Sequence, residues 1–233
     1  MSSMLKRKKS ESGQAMLEFA LVTISLTLML AGAFTMGAFL TKALQVSNVT
    51  RSAAVLMVRS VTDTKADLNL ALAQNQRILV REANGLGMAA DSNYNPSATG
   101  NGAIFLSKIV LVGANECAAG VTPLPSGVPP WSTATCPNYG SYVHAYYVAI
   151  GNTARWSSYF GAATAADVET DGTITAVHIA MDTTLQVPAP TMTAVITLSP
   201  SQYALISETY ADVSSISVFS LFRPPVLYYR TVT

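Results

Sequence analysis

Gly13-Gln14-Ala15-Met16-Leu17-Glu18-Phe19-Ala20-Leu21-Val22 decides how this chain is read. A basic cluster, Lys6-Arg7-Lys8-Lys9, precedes it, and an uncharged run then extends from Phe19 to Thr41, where Lys42 ends it. A bilayer is crossed by about 20 apolar residues, so the run is long enough to span one. A cleaved secretory signal has a shorter apolar core, about 7–15 residues, followed by a small-x-small site. Ala31-Gly32-Ala33 has that form, but it lies inside the run with more apolar sequence after it. A buried core helix is the other alternative, although nothing else in the chain is suited to wrap a helix that is apolar on all sides. The basic cluster is a topogenic signal: it stays in the cytoplasm, which puts everything after Lys42 outside.

Glu18 stands at the mouth of this run. A carboxylate costs roughly 2.5–3.5 kcal/mol at the centre of a membrane helix and less near the interface. A reading in which Glu18 only snorkels to the headgroups is open. The other reading is chemical. Ser10-Glu11-Ser12-Gly13 is small and polar, and glycine leaves room for backbone approach by a protease. A peptidase working at the membrane surface needs this leader extended and accessible. Cutting after Gly13 would give Gln14 a free ammonium, with Glu18 one helical turn away on the same face. An ion pair within one helix, or across to a neighbour, then offsets the burial.

The Gly13/Gln14 junction, Glu18 at the fifth position beyond it and Phe19 opening the run resemble a type IV pilin-like processing site. In its particular form, Gly-Gln-Ala-Met-Leu-Glu-Phe-Ala-Leu, the segment is similar to the TadE-like family of pseudopilins, from the tight-adherence (Flp) pilus assembly systems of bacteria. The resemblance covers only the N-terminal segment through the apolar run. It implies cutting by a prepilin peptidase between Gly13 and Gln14. It also implies an assembly role for Glu18 and Phe19, with other pilin-like subunits and Tad assembly proteins as partners. The implied location is the bacterial inner (cytoplasmic) membrane, single-pass, with the protein passing on into a pilus used in adherence or secretion.

Charged residues make up 12% of the 233 residues, and the net charge is +1. The leader cluster holds four of the fourteen basic residues, leaving ten against thirteen acidic ones. Nucleic-acid binding wants a basic patch, so no nucleic-acid partner is expected. Cys117 and Cys136 are the only cysteines and flank a stretch rich in proline and glycine. In an oxidising compartment such a pair reads as a disulfide. Closing a loop of that size contributes roughly 3 kcal/mol through chain entropy. Two free thiols, or a metal pair, are the alternatives.

Past Lys42 the helix continues. Leu44, Val46, Val49, Ala53, Leu56 and Val58 recur at roughly helical spacing, with Arg51 and Arg59 on a polar face. The pattern weakens near Ser60–Asp63. Thr64-x-x-Asp67 resembles a capping box for a second helix to about Ala83, which Asn84-Gly85 stops. Met88–Gly102 reads as a loop. Strands are expected over 104–112, 142–150, 173–180 (entered by Asp171-Gly172), 203–210 and 214–222, the last ended by Pro224-Pro225.

Helix followed by strands indicates α+β. A long N-terminal transmembrane helix continues into a helical stalk, and a small antiparallel β-sheet domain follows. The divisions are 1–13 cytoplasmic leader, 14–41 transmembrane helix, 42–86 extracytoplasmic helices and 87–233 β-rich extracytoplasmic domain.

No catalytic constellation, cofactor motif or metal site is read. His144 and His178 fall on expected strands with no carboxylate at a fixed short spacing. Asp167-x-Glu169-x-Asp171-Gly172 opens like a calcium loop, but His178 stands where the bidentate glutamate belongs. Asn48-Val49-Thr50 matches a glycosylation sequon inside an expected helix. Tyr142, Tyr146, Tyr147, Tyr203, Tyr210, Tyr228 and Tyr229 crowd the strand half, as sheet core or as interface. A membrane-anchored pilin-like subunit, not an enzyme, is the leading expectation. An unprocessed single-span envelope protein with a ligand-binding or scaffolding domain is the alternative.

Overall fold

The computed structural model describes residues 2–61, 79, 81, 83–88, 96–97, 99–121, 131–164, 166–169, 172–213 and 226–233, with the backbone alone for 2–12, 59–61 and 96–97. The chain is α+β, with one long N-terminal helix followed by a largely antiparallel sheet. Helix α1 runs unbroken over Ser2–Val61, 60 residues. It includes the leader, so Ser10–Gly13 is helical where an extended segment was expected. From Phe19 to Leu40 the large apolar side chains of α1 are exposed, Phe19 at 73% and Phe34 at 75%, with Phe39 half-buried. Thr23, Ser25, Thr27, Thr35 and Thr41 each donate to the carbonyl four residues earlier, at 2.7–3.0 Å. Such back-bonds satisfy a hydroxyl within its own helix, as a lipid environment would require. Among the described residues, this one helix is long and apolar enough to cross a membrane.

The apolar half of α1, up to Ala43, belongs to one compact unit; Leu44–Asp212 with Val226–Thr233 forms another. Within the second unit α1 buries Val46, Val49, Thr50, Ala53, Ala54 and Met57. Separations of three and four residues place these on one stripe. Thr50 Oγ1 lies 2.8 Å from Val46 O and 2.8 Å from Thr209 Oγ1. Thr209 sits opposite Ile104 in the sheet, and Ile104 opposite Ile150. The stripe therefore meets the face that carries these residues. A short helical piece ends at Gly87 (φ 73°), whose N–H bonds Asn84 O at 2.9 Å while Met88 N–H bonds Ala83 O at 3.1 Å. That pairing is a Schellman stop with glycine in the left-handed position, two residues beyond the expected Asn84-Gly85 stop. The Thr64/Asp67 box and most of the expected second helix lie outside the described residues.

Strand β1 (Pro96–Ser97) pairs parallel with β3 (Tyr142–Asn152), inside the segment expected to be loop. β2 (Gly102–Leu111) runs antiparallel between β3 and β5 (Tyr203–Ala211), and β6 (Leu227–Val232) pairs antiparallel with β5. A two-residue β4 (Gln186–Val187) joins the start of β3. The near-continuous apolar run of β2 fits its central place, since a strand covered on both faces needs no polar alternation. β3 slips register between Lys108 and Ile109 of β2, leaving Ala145 as the extra residue. Tyr146 and Tyr147 point to opposite faces, and both are buried, so β3 is covered on both sides there. The expected strand 214–222 lies outside the described residues. β6, beyond Pro225, was not expected.

The segment 173–180, expected as a strand, is only bridged to the sheet at Thr173 and is helical from Ala176. Helix α2 (Ala114–Gly120) and helix α3 (Ala176–Met181) pack beside the sheet, with α4 (Ala189–Thr193) after β4. Thr175 caps α3 by accepting from His178 N–H at 3.4 Å. Buried Asn138 closes the other end: Nδ2 donates to Ile179 O at 2.9 Å and Asp182 O at 2.8 Å, and Oδ1 accepts from Gln186 at 2.8 Å. Orphan carbonyls at a helix C-terminus need such donors. The β-branched run Thr173-Ile174-Thr175 reads as strand, and these caps override it. The core gathers Phe105, Tyr147, Trp156 and Leu185 with the two half-cystines, and a second cluster holds Ile109, Phe160, Met192 and Ile206.

Candidate functional site

The head of α1 carries the processing and assembly candidates. Gly13 sits in open helix, with no heavy atom within 4 Å of where a Cβ would stand. Gln14 and Glu18 share a face: the Gln14 amide donates to the Glu18 carboxylate at 3.3 Å. Phe19 projects beside them, exposed, as do Met16 and Leu17. A polar pair one turn long thus opens a cylinder that is otherwise apolar. The arrangement places the Glu18 carboxylate one helical turn beyond Gln14.

Cys117, in α2, and Cys136 form a disulfide, Cα–Cα 5.9 Å, and both are fully buried. The histidines stand apart. His144, on β3, is buried, and burial holds its pKa down at about 4 while Nε2 lies 3.4 Å from Phe160 O. His178 is on helix α3 and not on a strand, with Nδ1 4.0 Å from Asp167 Oδ1. Asp167 also accepts from Thr164. Asp171 lies outside the described residues. Among the described residues no three His, Cys, Asp or Glu side chains converge as a metal site. The tyrosines divide between core and surface. Tyr142, Tyr146 and Tyr147 are buried, Tyr210 and Tyr229 are half-buried, and Tyr203 and Tyr228 are exposed at 47% and 39%.

Sequence reasoning missed Glu208. It lies on β5, opposite Phe105 of β2 and Arg230 of β6, and is fully buried. Its carboxylate accepts from Ser158 Oγ, from Tyr159 N–H at 3.2 Å and from Tyr228 OH at 2.7 Å. Three donors are what a buried charge demands. Burial first, and then the Glu208 carboxylate, raise the pKa of Tyr228, Tyr147 and Tyr210. Arg230 lies over the rings of Tyr159 at 5.3 Å and Phe160 at 5.5 Å. The one available signal was a carboxylate between Ser207 and Thr209 in the middle of a β-run. The donors come from sequence separations of 20 to 50 residues, which no local pattern displays. The group is a structural lock for β6, closed on its own partners.

No curated protein and no solved structure matches the chain. Residues 13–55 match the family model described as TadE-like protein, so this chain carries a TadE-like N-terminal segment that starts at Gly13 and includes both the polar pair and the apolar run.

Proposed function

We propose that this chain is a membrane-anchored, pilin-like (minor pseudopilin) subunit of a Tad-type pilus or secretion assembly. The observation that carries the reading is the Gln14–Glu18 pair one residue beyond Gly13, at the head of the TadE-like segment. A prepilin peptidase hydrolyses the Gly13–Gln14 bond: water's oxygen ends on the Gly13 carboxyl group and Gln14 becomes the new amino terminus. The Gln14 backbone nitrogen then becomes an ammonium one helical turn from Glu18, while the side-chain amide that bonds Glu18 is unchanged. At the membrane boundary a charge without a partner is costly, and a pair one turn apart removes that cost within the subunit or between neighbours. The leader stays in the cytoplasm, the sheet domain lies outside the inner membrane, and the subunit acts by packing, not by catalysis. Its partners are the peptidase, other pilin-like subunits and Tad assembly proteins.

N-terminal sequencing or intact mass of protein taken from cells with an active prepilin peptidase tests this. We expect a chain beginning at Gln14, and a full-length chain from Gly13→Leu. Recovery of the uncut N-terminus from the unaltered protein would replace this reading with an unprocessed single-span envelope protein.

A further inference from the structure

The bond to be cut lies inside a helix. α1 enters at Ser2 and passes Gly13 and Gln14 without a break. A helical peptide bond is a poor protease substrate, because its carbonyl is engaged in the i to i−4 ladder and the surrounding turns block approach to an extended cleft. Cleavage of such a site proceeds from a locally opened state, at a rate that tracks the population of that state when opening is fast. The sequence makes this part of α1 easy to open. Ser10 and Ser12 are weak helix formers, and Gly13 is weaker still. No acidic residue occupies the first turn. Lys6 and Lys9 add like charges three residues apart, a spacing that mildly disfavours the helix. From Ala15 onward the composition reverses to strong helix formers, with Met16, Leu17, Glu18 and Ala20.

We infer that Ser10–Gly13 is an unwinding gate: the leader is helical at rest, and the fraction of time this segment is open sets the rate of cutting after Gly13. The inference rests on the processing reading above and adds what controls it. The gate is discarded with the leader. Its sequence therefore tunes how fast a subunit matures while leaving the mature subunit unchanged.

The test varies helix propensity at two leader positions. Full-length protein is pulse-labelled in membranes containing an active prepilin peptidase, and leader loss is followed by mass. Ser10→Ala with Ser12→Ala strengthens the helix and is expected to slow cutting about fivefold; Ser10→Gly with Ser12→Gly weakens it and is expected to speed cutting by about two- to fivefold. Both pairs remove the same two hydroxyls. Direct recognition of those hydroxyls by the peptidase would shift both pairs in one direction. Opposite shifts support the gate. Equal rates or a common direction, in a protein that is still cut after Gly13, overturn the gate and leave the processing reading standing. An unaltered protein that is never cut overturns both.

Discussion

Two halves of one helix obey opposite rules. In α1 the stretch Phe19–Leu40 exposes apolar side chains around the cylinder. Past Ala43, in the same element, burial collapses to a single stripe, Val46, Val49, Thr50, Ala53, Ala54 and Met57, with Leu44, Arg51 and Val55 left outside. Helical periodicity is the same in both. What changes is whether one side or all sides of the cylinder require an apolar environment. The first half is built for a solvent of hydrocarbon and the second for one protein face. Burying each large apolar side chain of that second half contributes about 1.5–3 kcal/mol, which is ample to dock a helix against a sheet.

A buried carboxylate breaks this contrast most sharply. Val49→Asp puts an unpaired charge in the stripe and is expected to cost the sheet domain at least about 3 kcal/mol. Denaturant titration of the detergent-solubilised full chain, followed by tryptophan fluorescence, reads this. Membrane partition should be unchanged. Leu28→Asp is the mirror case: it should weaken insertion by roughly 2.5–3.5 kcal/mol and leave the domain's unfolding midpoint where it was. If both variants move the same readout, the two halves are not separate in kind.

Acidity sharpens the comparison next, because it addresses the domain only. His144 has its pKa lowered by burial from 6.5 to about 4. As pH falls, the unfolded chain takes up this proton first. The domain therefore keeps its full stability above about pH 6.5, loses it progressively down to about pH 4, and loses no more from this group below that. The whole effect approaches about 3 kcal/mol. His144→Phe should flatten the slope in that window, apart from any constant offset. A slope identical to that of the unaltered protein would show that this imidazole is not held neutral.

Thr50→Val gives the smallest effect, about 1 kcal/mol. It deletes the buried contact to Thr209 while keeping the shape of the stripe. The cost should vanish in a Thr209→Val background, where no hydroxyl is left without a partner, and persistence of the full cost there would mean packing and not the hydroxyl pair holds the helix.

How much of this was legible follows from where the signals lie. The apolar run and its charged borders are contiguous in sequence, so α1 could be read directly. β2, β3 and β5 are long enough to show β-branched and aromatic composition. Ala176–Met181 was misread because its caps, Thr175 and Asn138, act through structure, and Asn138 lies about forty residues from the carbonyls it holds. β6 was missed because it is short and follows a double proline. Its place depends on its pairing with β5. The helical leader was missed for another reason: an extended segment was inferred from what a peptidase needs and from small, polar residues, and neither prevents a helix at rest.

Glu208 and Tyr228 set an order of events. The carboxylate is made first and its phenol donor 20 residues later. As the chain grows, β5 can pair with β2 while Glu208 still lacks one of its three hydrogen bonds, a deficit of about 1–3 kcal/mol once buried. Glu208 gains its third donor only when Leu227–Val232 has joined the sheet edge. Until Tyr228 reaches Glu208, one acceptor of a buried carboxylate goes unfilled, so docking of β6, and not the pairing of β5 alone, makes for a quiet, protease-resistant fold.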